Sequence, residues 1–250
     1  MYIDTHCHIT RNDYTDIPFL IDKIKSSGVD KIIVNGTDME SNMEILELVK
    51  KYDIVYGAIG FHPIELDNFN IEDLSWLEEH INDEKIVALG EIGLDYHYDN
   101  TDKEKEIDVF KRQLGIAEKY NKPVIIHSRD AIGDTYNILK EYKLKGSIHC
   151  FSGSLEMARE FIKLGYLIGV GGVVTFKNAK NIINVIENIE LEYILLETDA
   201  PYLTPEPYRK YKNDSSYIPV IAEKIAEIKK VDVKFVEDTT RRSSISLFDF

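Results

Sequence analysis

Short apolar runs rich in β-branched residues recur along the chain at 1–6 (MYIDTH), 31–36 (KIIVNG), 54–60 (IVYGAIG) and 86–93 (IVALGEIG). Four more follow at 123–128 (PVIIHS), 146–153 (GSIHCFSG), 165–172 (GYLIGVGG) and 193–199 (YILLETD). Each run is bounded by Gly, His or Asp, which is how strands are punctuated. Amphipathic stretches with a helical period separate nearly all neighbours, clearest at 43–52, 71–81, 105–120 and from Leu155 to Leu164. A last helix is predicted to begin near Tyr217, with a shorter terminal helix from Val233 to Arg242, and the KYKNDSS stretch after Tyr208 reads as a long loop. Strands apolar throughout, alternating with helices, predict an α/β fold whose parallel sheet is covered on both faces. A count of eight such units favours closure into a single (β/α)8 TIM barrel with a short extra C-terminal helix over an open doubly wound sheet.

One barrel accounts for all 250 residues, so residues 1–250 are expected to form a single domain. With 44% hydrophobic and 30% charged residues the composition is that of a soluble globular protein, and no apolar run approaches the roughly 20 residues of a membrane span. The opening MYIDTHCHIT lacks the basic and apolar segments of a secretory signal, so a cytoplasmic location is expected. Cys7 and Cys150 each lie beside a histidine in a predicted strand and read as packing residues, not as a disulfide. The net charge of −14 disfavours the broad basic face with which proteins coat a duplex, so any nucleic-acid contact should be local.

The candidate chemistry lies at the strand ends. His6 and His8 stand two apart in a strand, so both imidazoles face one way and can share a metal, while Cys7 points elsewhere. Glu91, His127, His149 and Asp199 fall at the last residues of the fourth, fifth, sixth and eighth predicted strands. In a closed barrel those ends surround one mouth, so six residues without a local motif converge there. Four imidazoles and two carboxylates suffice for two divalent ions, with Glu91 as the natural bridge. A cation also explains how such polar groups survive at the edge of a core, where a hydrogen-bonded cluster without metal is the alternative. Gly169, Gly171 and Gly172 do not form a dinucleotide loop, since Val174 stands where the third glycine belongs, and no phosphate loop ending in Gly-Lys-Ser/Thr occurs, so no nucleotide cofactor is expected.

Read together, DTHCH at 4–8, GFHP at 60–63, GEIGLDYH at 90–97, PVIIHSRD at 123–130, HCFSG at 149–153 and ETDAPYLTP at 197–205 resemble the TatD-like deoxyribonuclease family of the metal-dependent amidohydrolase superfamily. The resemblance implies that His6, His8, Glu91, His127, His149 and Asp199 are the metal ligands and that DNA is degraded from its 3′ end, and the acidic charge favours contact with one accessible single-stranded or frayed terminus. The resemblance also implies magnesium-dependent activity, although histidine-rich ligation suits Zn²⁺ or Mn²⁺ better. The chain departs from the family where Arg209-Lys210 and then Asn213-Asp214-Ser215 replace Arg-Gly and Asn-Glu-Pro.

The expected reaction is in-line attack of a metal-activated water on phosphorus, with Glu91 and Asp199 as the catalytic carboxylates and Asp199 accepting the proton. His62, Arg129 and Lys177 are candidates for holding an anionic substrate, and Tyr96 and His97 for stacking on a base or sugar. His80 reads as a surface residue of an amphipathic helix. Two other functions fit the same residues: hydrolysis of another ester or amide, such as an aminoacyl ester on tRNA, and a metal-stabilised binding protein without turnover.

Overall fold

Every strand of the computed structural model, which describes residues 1–250, runs parallel to its neighbours in one eight-stranded sheet whose spatial order is the chain order. The strands are β1 (Tyr2–Cys7), β2 (Val29–Asn35), β3 (Val55–Ile59), β4 (Ile86–Asp95), β5 (Val124–Arg129), β6 (Gly146–Ile148), β7 (Tyr166–Val170) and β8 (Ile194–Leu196). The helices that return the chain are α1 (Ile17–Ser26), α2 (Met39–Lys51), α3 (Asp73–His80), α4 (Lys103–Tyr120), α5 (Ile132–Leu139), α6 (Leu155–Lys163), α7 (Lys180–Asn188) and α8 (Ile218–Lys229), with α9 (Val233–Phe248) at the end. The barrel closes beyond the end of β8: Asp199 N–H donates to His6 O at 2.9 Å and His8 N–H donates to Ala200 O at 2.6 Å, a parallel bridge between Cys7 and Ala200. No helix is long and apolar enough to cross a membrane.

Local chemistry starts the helices where the sequence places short polar residues before an amphipathic run. Asp16, Asp38, Asp102 and Ser154 each accept a first-turn N–H of α1, α2, α4 and α6, satisfying a donor the helix itself leaves free. The apolar faces of these helices then bury against the outward side chains of the strands, which is where Cys7 lies, a free thiol like Cys150.

Inside the barrel a smaller cluster of Ile33, Ala58, Ala88, Ile125 and Leu195 forms a floor. Strand side chains alternate, so the residue two positions beyond Ile125 on the same face is His127, and the one beyond Leu195 is Glu197. The polar site therefore stands directly on an apolar base. That base is sealed from below by the chain terminus, since Leu247 and Phe248 belong to the same cluster and Phe250 packs against it.

The terminal helix differs from its sequence expectation: α9 runs to Phe248, well past Arg242, and with 16 residues it is longer than the 12-residue α8. The polar TTRRSS stretch hides this, because Thr239, Thr240 and Ser244 are buried. Thr240 and Ser244 hydroxyls donate to the carbonyls of Val236 and Thr240, both at 2.9 Å, so burial leaves neither hydroxyl unpaired. Two strands are also shorter than their apolar runs. β6 stops at Ile148 and β8 at Leu196, so Cys150 and Asp199 lie in turns with φ of 43° and 55°.

Phe248 is 2% exposed and fills the barrel base. Phe248→Ala is expected to destabilise the fold by about 3–5 kcal/mol, read as a lower urea midpoint at unchanged slope.

Candidate metal centre

Glu91 is the centre of the site. It is 1% exposed, and imidazoles face both of its oxygens. Its Oε2 lies 3.3 Å from His6 Nε2 and 3.4 Å from His8 Nε2. Its Oε1 lies 2.8 Å from His127 Nδ1, 3.0 Å from His149 Nε2 and 3.5 Å from His62 Nε2. Burial alone would raise the Glu91 pKa, but the surrounding imidazoles, His149 and His6 foremost, hold it well below the usual carboxylate range. Asp199 completes the first half, its Oδ1 3.6 and 3.7 Å from the Nε2 atoms of His6 and His8. All six residues expected from the strand ends thus meet at one mouth.

Hydrogen bonds behind these side chains decide what each presents. His8 Nδ1 meets Asn35 O at 2.9 Å, and a carbonyl can only accept, so the proton sits on Nδ1 and the Nε2 lone pair of the neutral ring faces the site. His6 Nε2 then stands 3.2 Å from His8 Nε2. Two imidazole nitrogens and two carboxylate oxygens converging in a buried space match the donor set of a divalent cation. Without one, the same position attracts a proton: burial disfavours charging His8, but Asp199 and Glu91 outweigh it and push its pKa up to about 10. The groups able to share an ion include His6, His8 and Glu91, then His6, His149 and Asp199, and also His62, Glu91 and His127.

Two carboxylates that the sequence reading passed over complete the support. Asp95, at the end of β4 and 2% exposed, accepts from His127 Nε2 at 3.0 Å and so turns Nδ1 toward Glu91. Glu197, fully buried, has Oε1 3.7 Å from His149 Nδ1 and accepts from Cys150 N–H at 2.5 Å. Both lie inside quoted motifs, GEIGLDYH and ETDAPYLTP, and their strand positions were the available signal. Glycines make the room: a Cβ at Gly169 would stand 2.3 Å from Glu197 Oε2, and one at Gly93, whose φ is +152°, would stand 1.9 Å from His127 O. Asp4 ties the closure itself, accepting Thr198 N–H at 3.0 Å and Thr198 Oγ1–H at 2.6 Å beside Asp199.

The site opens into a cavity of about 730 Å³. His62, Arg129 and His97, candidates for substrate contact, line it. His62 N–H donates to Thr37 O, and its Nδ1 accepts Ile64 N–H at 3.2 Å, which leaves the ring proton on Nε2, toward Glu91. Burial and the neighbouring His127 lower the His62 pKa to about 4, so the ring stays neutral. His97 Nδ1 pairs with Asp130 at 3.0 Å.

Two expected substrate contacts do not reach the cavity. Tyr96 turns its ring under Lys103 Nζ, 4.1 Å away, and gives its hydroxyl hydrogen to Asp134 at 3.1 Å, because strand alternation after Asp95 sends it to the helix side. Lys177 is exposed on the turn before α7 and is not among the cavity's lining residues. His80 packs on Trp76 at 4.4 Å and pairs with Asp83 at 2.8 Å, away from the cavity.

Comparison with known proteins agrees with this architecture over its full length. The chain is 41% identical over 252 residues to the uncharacterized metal-dependent hydrolase YabD of Bacillus subtilis, covering 99% of each sequence. Among solved structures it superposes with a TM-score of 0.94 on YjjV, a TatD homolog from Escherichia coli K12, at 32% identity over 100% of this chain and 98% of that one. A hydrolase TatD family protein from Entamoeba histolytica follows at a TM-score of 0.86 and 25% identity, covering 99% and 97%. The sequence pattern of the family described as TatD related DNase matches residues 3–249, and the chain belongs to that family.

Proposed function

We propose that the protein is a divalent-metal-dependent phosphodiesterase that trims DNA from an accessible 3′ end. The observation that carries this reading is the two-sided Glu91, one oxygen toward His6 and His8 and the other toward His127 and His149. His6, His8, Asp199 and Glu91 Oε2 would hold one ion, and His127, His149 and Glu91 Oε1 a second, with Zn²⁺ or Mn²⁺ favoured by the imidazoles and Mg²⁺ by the carboxylates. Ions held in this way polarise a phosphoryl oxygen and lower the pKa of water toward about 7.

The chain's own groups supply the rest. Asp199 reaches the cavity with 16% of its side chain exposed, and although burial opposes it, His8, His149 and His6 hold its pKa below the ordinary value. It is therefore ionised at neutral pH and can accept the proton of an attacking water. His62 lines the mouth as a neutral ring beside Glu91, and Arg129 offsets charge growing on the non-bridging oxygens.

DNA is supported by the family's description and by the demands of the mouth. Its lining carries Asp13, Glu65, Glu91, Asp95, Asp130 and Asp199 against one guanidinium, Arg129. Such a rim repels a length of duplex and leaves one terminal phosphate, drawn to bound cations, as the productive contact. The same acidic rim favours a second reading, hydrolysis of an aminoacyl ester whose ammonium would face Asp13, Glu65 or Asp130.

The deciding experiment is digestion of end-labelled single-stranded DNA, beside aminoacyl esters, with each divalent ion returned after chelation. Products shortened stepwise from the 3′ end support the proposal, and ester cleavage with intact DNA refutes it. Asp199→Asn is expected to lower kcat by about a thousandfold while circular dichroism stays native. Asp95→Asn, which keeps the shape but weakens the hold on His127, should reduce metal affinity by about tenfold to a hundredfold in a competition titration. Chelation should lower the Tm of the wild-type protein, and restored ion should recover it.

A further inference from the structure

A second hollow of about 380 Å³ adjoins the metal cavity, with Cys150 and Ser152 lining both. It lies over the ends of β6 and β7. Gly169 and Gly171 contribute to its lining, and a Cβ on the first would run into Glu197. Phe151, Val174 and Ile182 are buried apolar walls, and half-buried Val173 faces them. The exposed amides of Asn178 and Asn181 stand at the rim.

This chemistry selects among the parts of a nucleic-acid end. A phosphate is a poor occupant, since the walls are apolar and Lys180 is the one cation among the lining residues. An aliphatic chain would satisfy the walls but make no use of the two rim carboxamides. A flat heterocycle matches both, with apolar faces for the walls and donor and acceptor edges for the carboxamides, which pair with base edges in just this way. The volume is in the range of ordinary ligand pockets, about 300–1,000 Å³. Cys150 and Ser152 line both spaces, so the occupant of the hollow is a neighbour of whatever sits in the metal cavity.

We infer that the hollow between Phe151, Val173 and Asn181 is a nucleobase subsite that receives the base of the terminal nucleotide being released. The inference rests on the deoxyribonuclease reading. The subsite adds specificity to a mouth whose charge gives DNA little general affinity, because only a chain end can lay its last base aside while its phosphodiester sits at the ions.

The test compares two oligonucleotides that differ only in the last nucleotide, one complete and one carrying a stable abasic sugar. Wild-type holoenzyme should cleave the complete end with kcat/KM about tenfold to a hundredfold higher, mostly through KM. Val173→Trp fills the hollow and Asn181→Ala removes a rim amide, and each should pull that ratio toward one. A merely structural defect lowers both rates together and leaves the ratio unmoved. Equal wild-type rates on the two ends, or a wild-type ratio kept by both variants, overturns the subsite while the deoxyribonuclease reading stands. Failure to cleave either oligonucleotide, with ester hydrolysis intact, overturns both.

Discussion

The site is organised around a buried anion. Glu91 is almost without solvent, and a lone carboxylate there would be protonated or would destabilise the fold. Five imidazoles answer it, three at Oε1 and two at Oε2. Those imidazoles in turn need their own lone pairs met, which Asp199 cannot do, since a carboxylate adds only acceptors. A divalent cation would meet those lone pairs, and the clustered nitrogens and oxygens fit one.

What makes this cluster rigid is a ring of groups that hold the imidazoles from behind. Asn35 carbonyl fixes the tautomer of His8, Asp95 holds the outer nitrogen of His127, and Glu197 stands behind His149. Gln113, on α4, holds the backbone of Phe61 from both sides, its Oε1 accepting Phe61 N–H at 2.8 Å and its Nε2 donating to Phe61 O at 3.0 Å, which sets the loop carrying His62. Asn213 tethers the turn around Asp199 through its Nδ2 alone, which donates to Thr198 O at 2.9 Å and also to Tyr202 O. That asparagine is buried although its neighbourhood reads as a polar loop, because its amide N–H groups are taken up by loop carbonyls.

The apolar base and the polar mouth depend on one another. Inward positions of the strands are hydrophobic low in the barrel and turn polar two residues later, so the floor excludes water from beneath the ligands. Phe248 closes that floor from outside, which makes the last helix part of the site's support despite its distance in sequence from every ligand. Electrostatic effects at Glu91 and Asp199 are correspondingly stronger than they would be in an open groove.

By itself, the sequence determined the eight-unit alternation, the closed parallel sheet and the gathering of six imidazole and carboxylate side chains at one mouth. Those properties follow from local periodicity and from the rule that barrel strands end at one mouth, so Glu91, His127, His149 and Asp199 could be named without coordinates. Tertiary structure alone decided which nitrogen of each imidazole faces the centre, that Asp95 and Glu197 stand behind His127 and His149, and that Tyr96 and Lys177 lie outside the cavity. It also decided the length of α9, whose buried hydroxyls bond to their own helix and so leave no apolar period to read. The physical reason is common to all of these: periodicity records which face of an element a residue occupies, whereas hydrogen-bond partners and turn geometry are set by chain segments that meet only when the barrel closes.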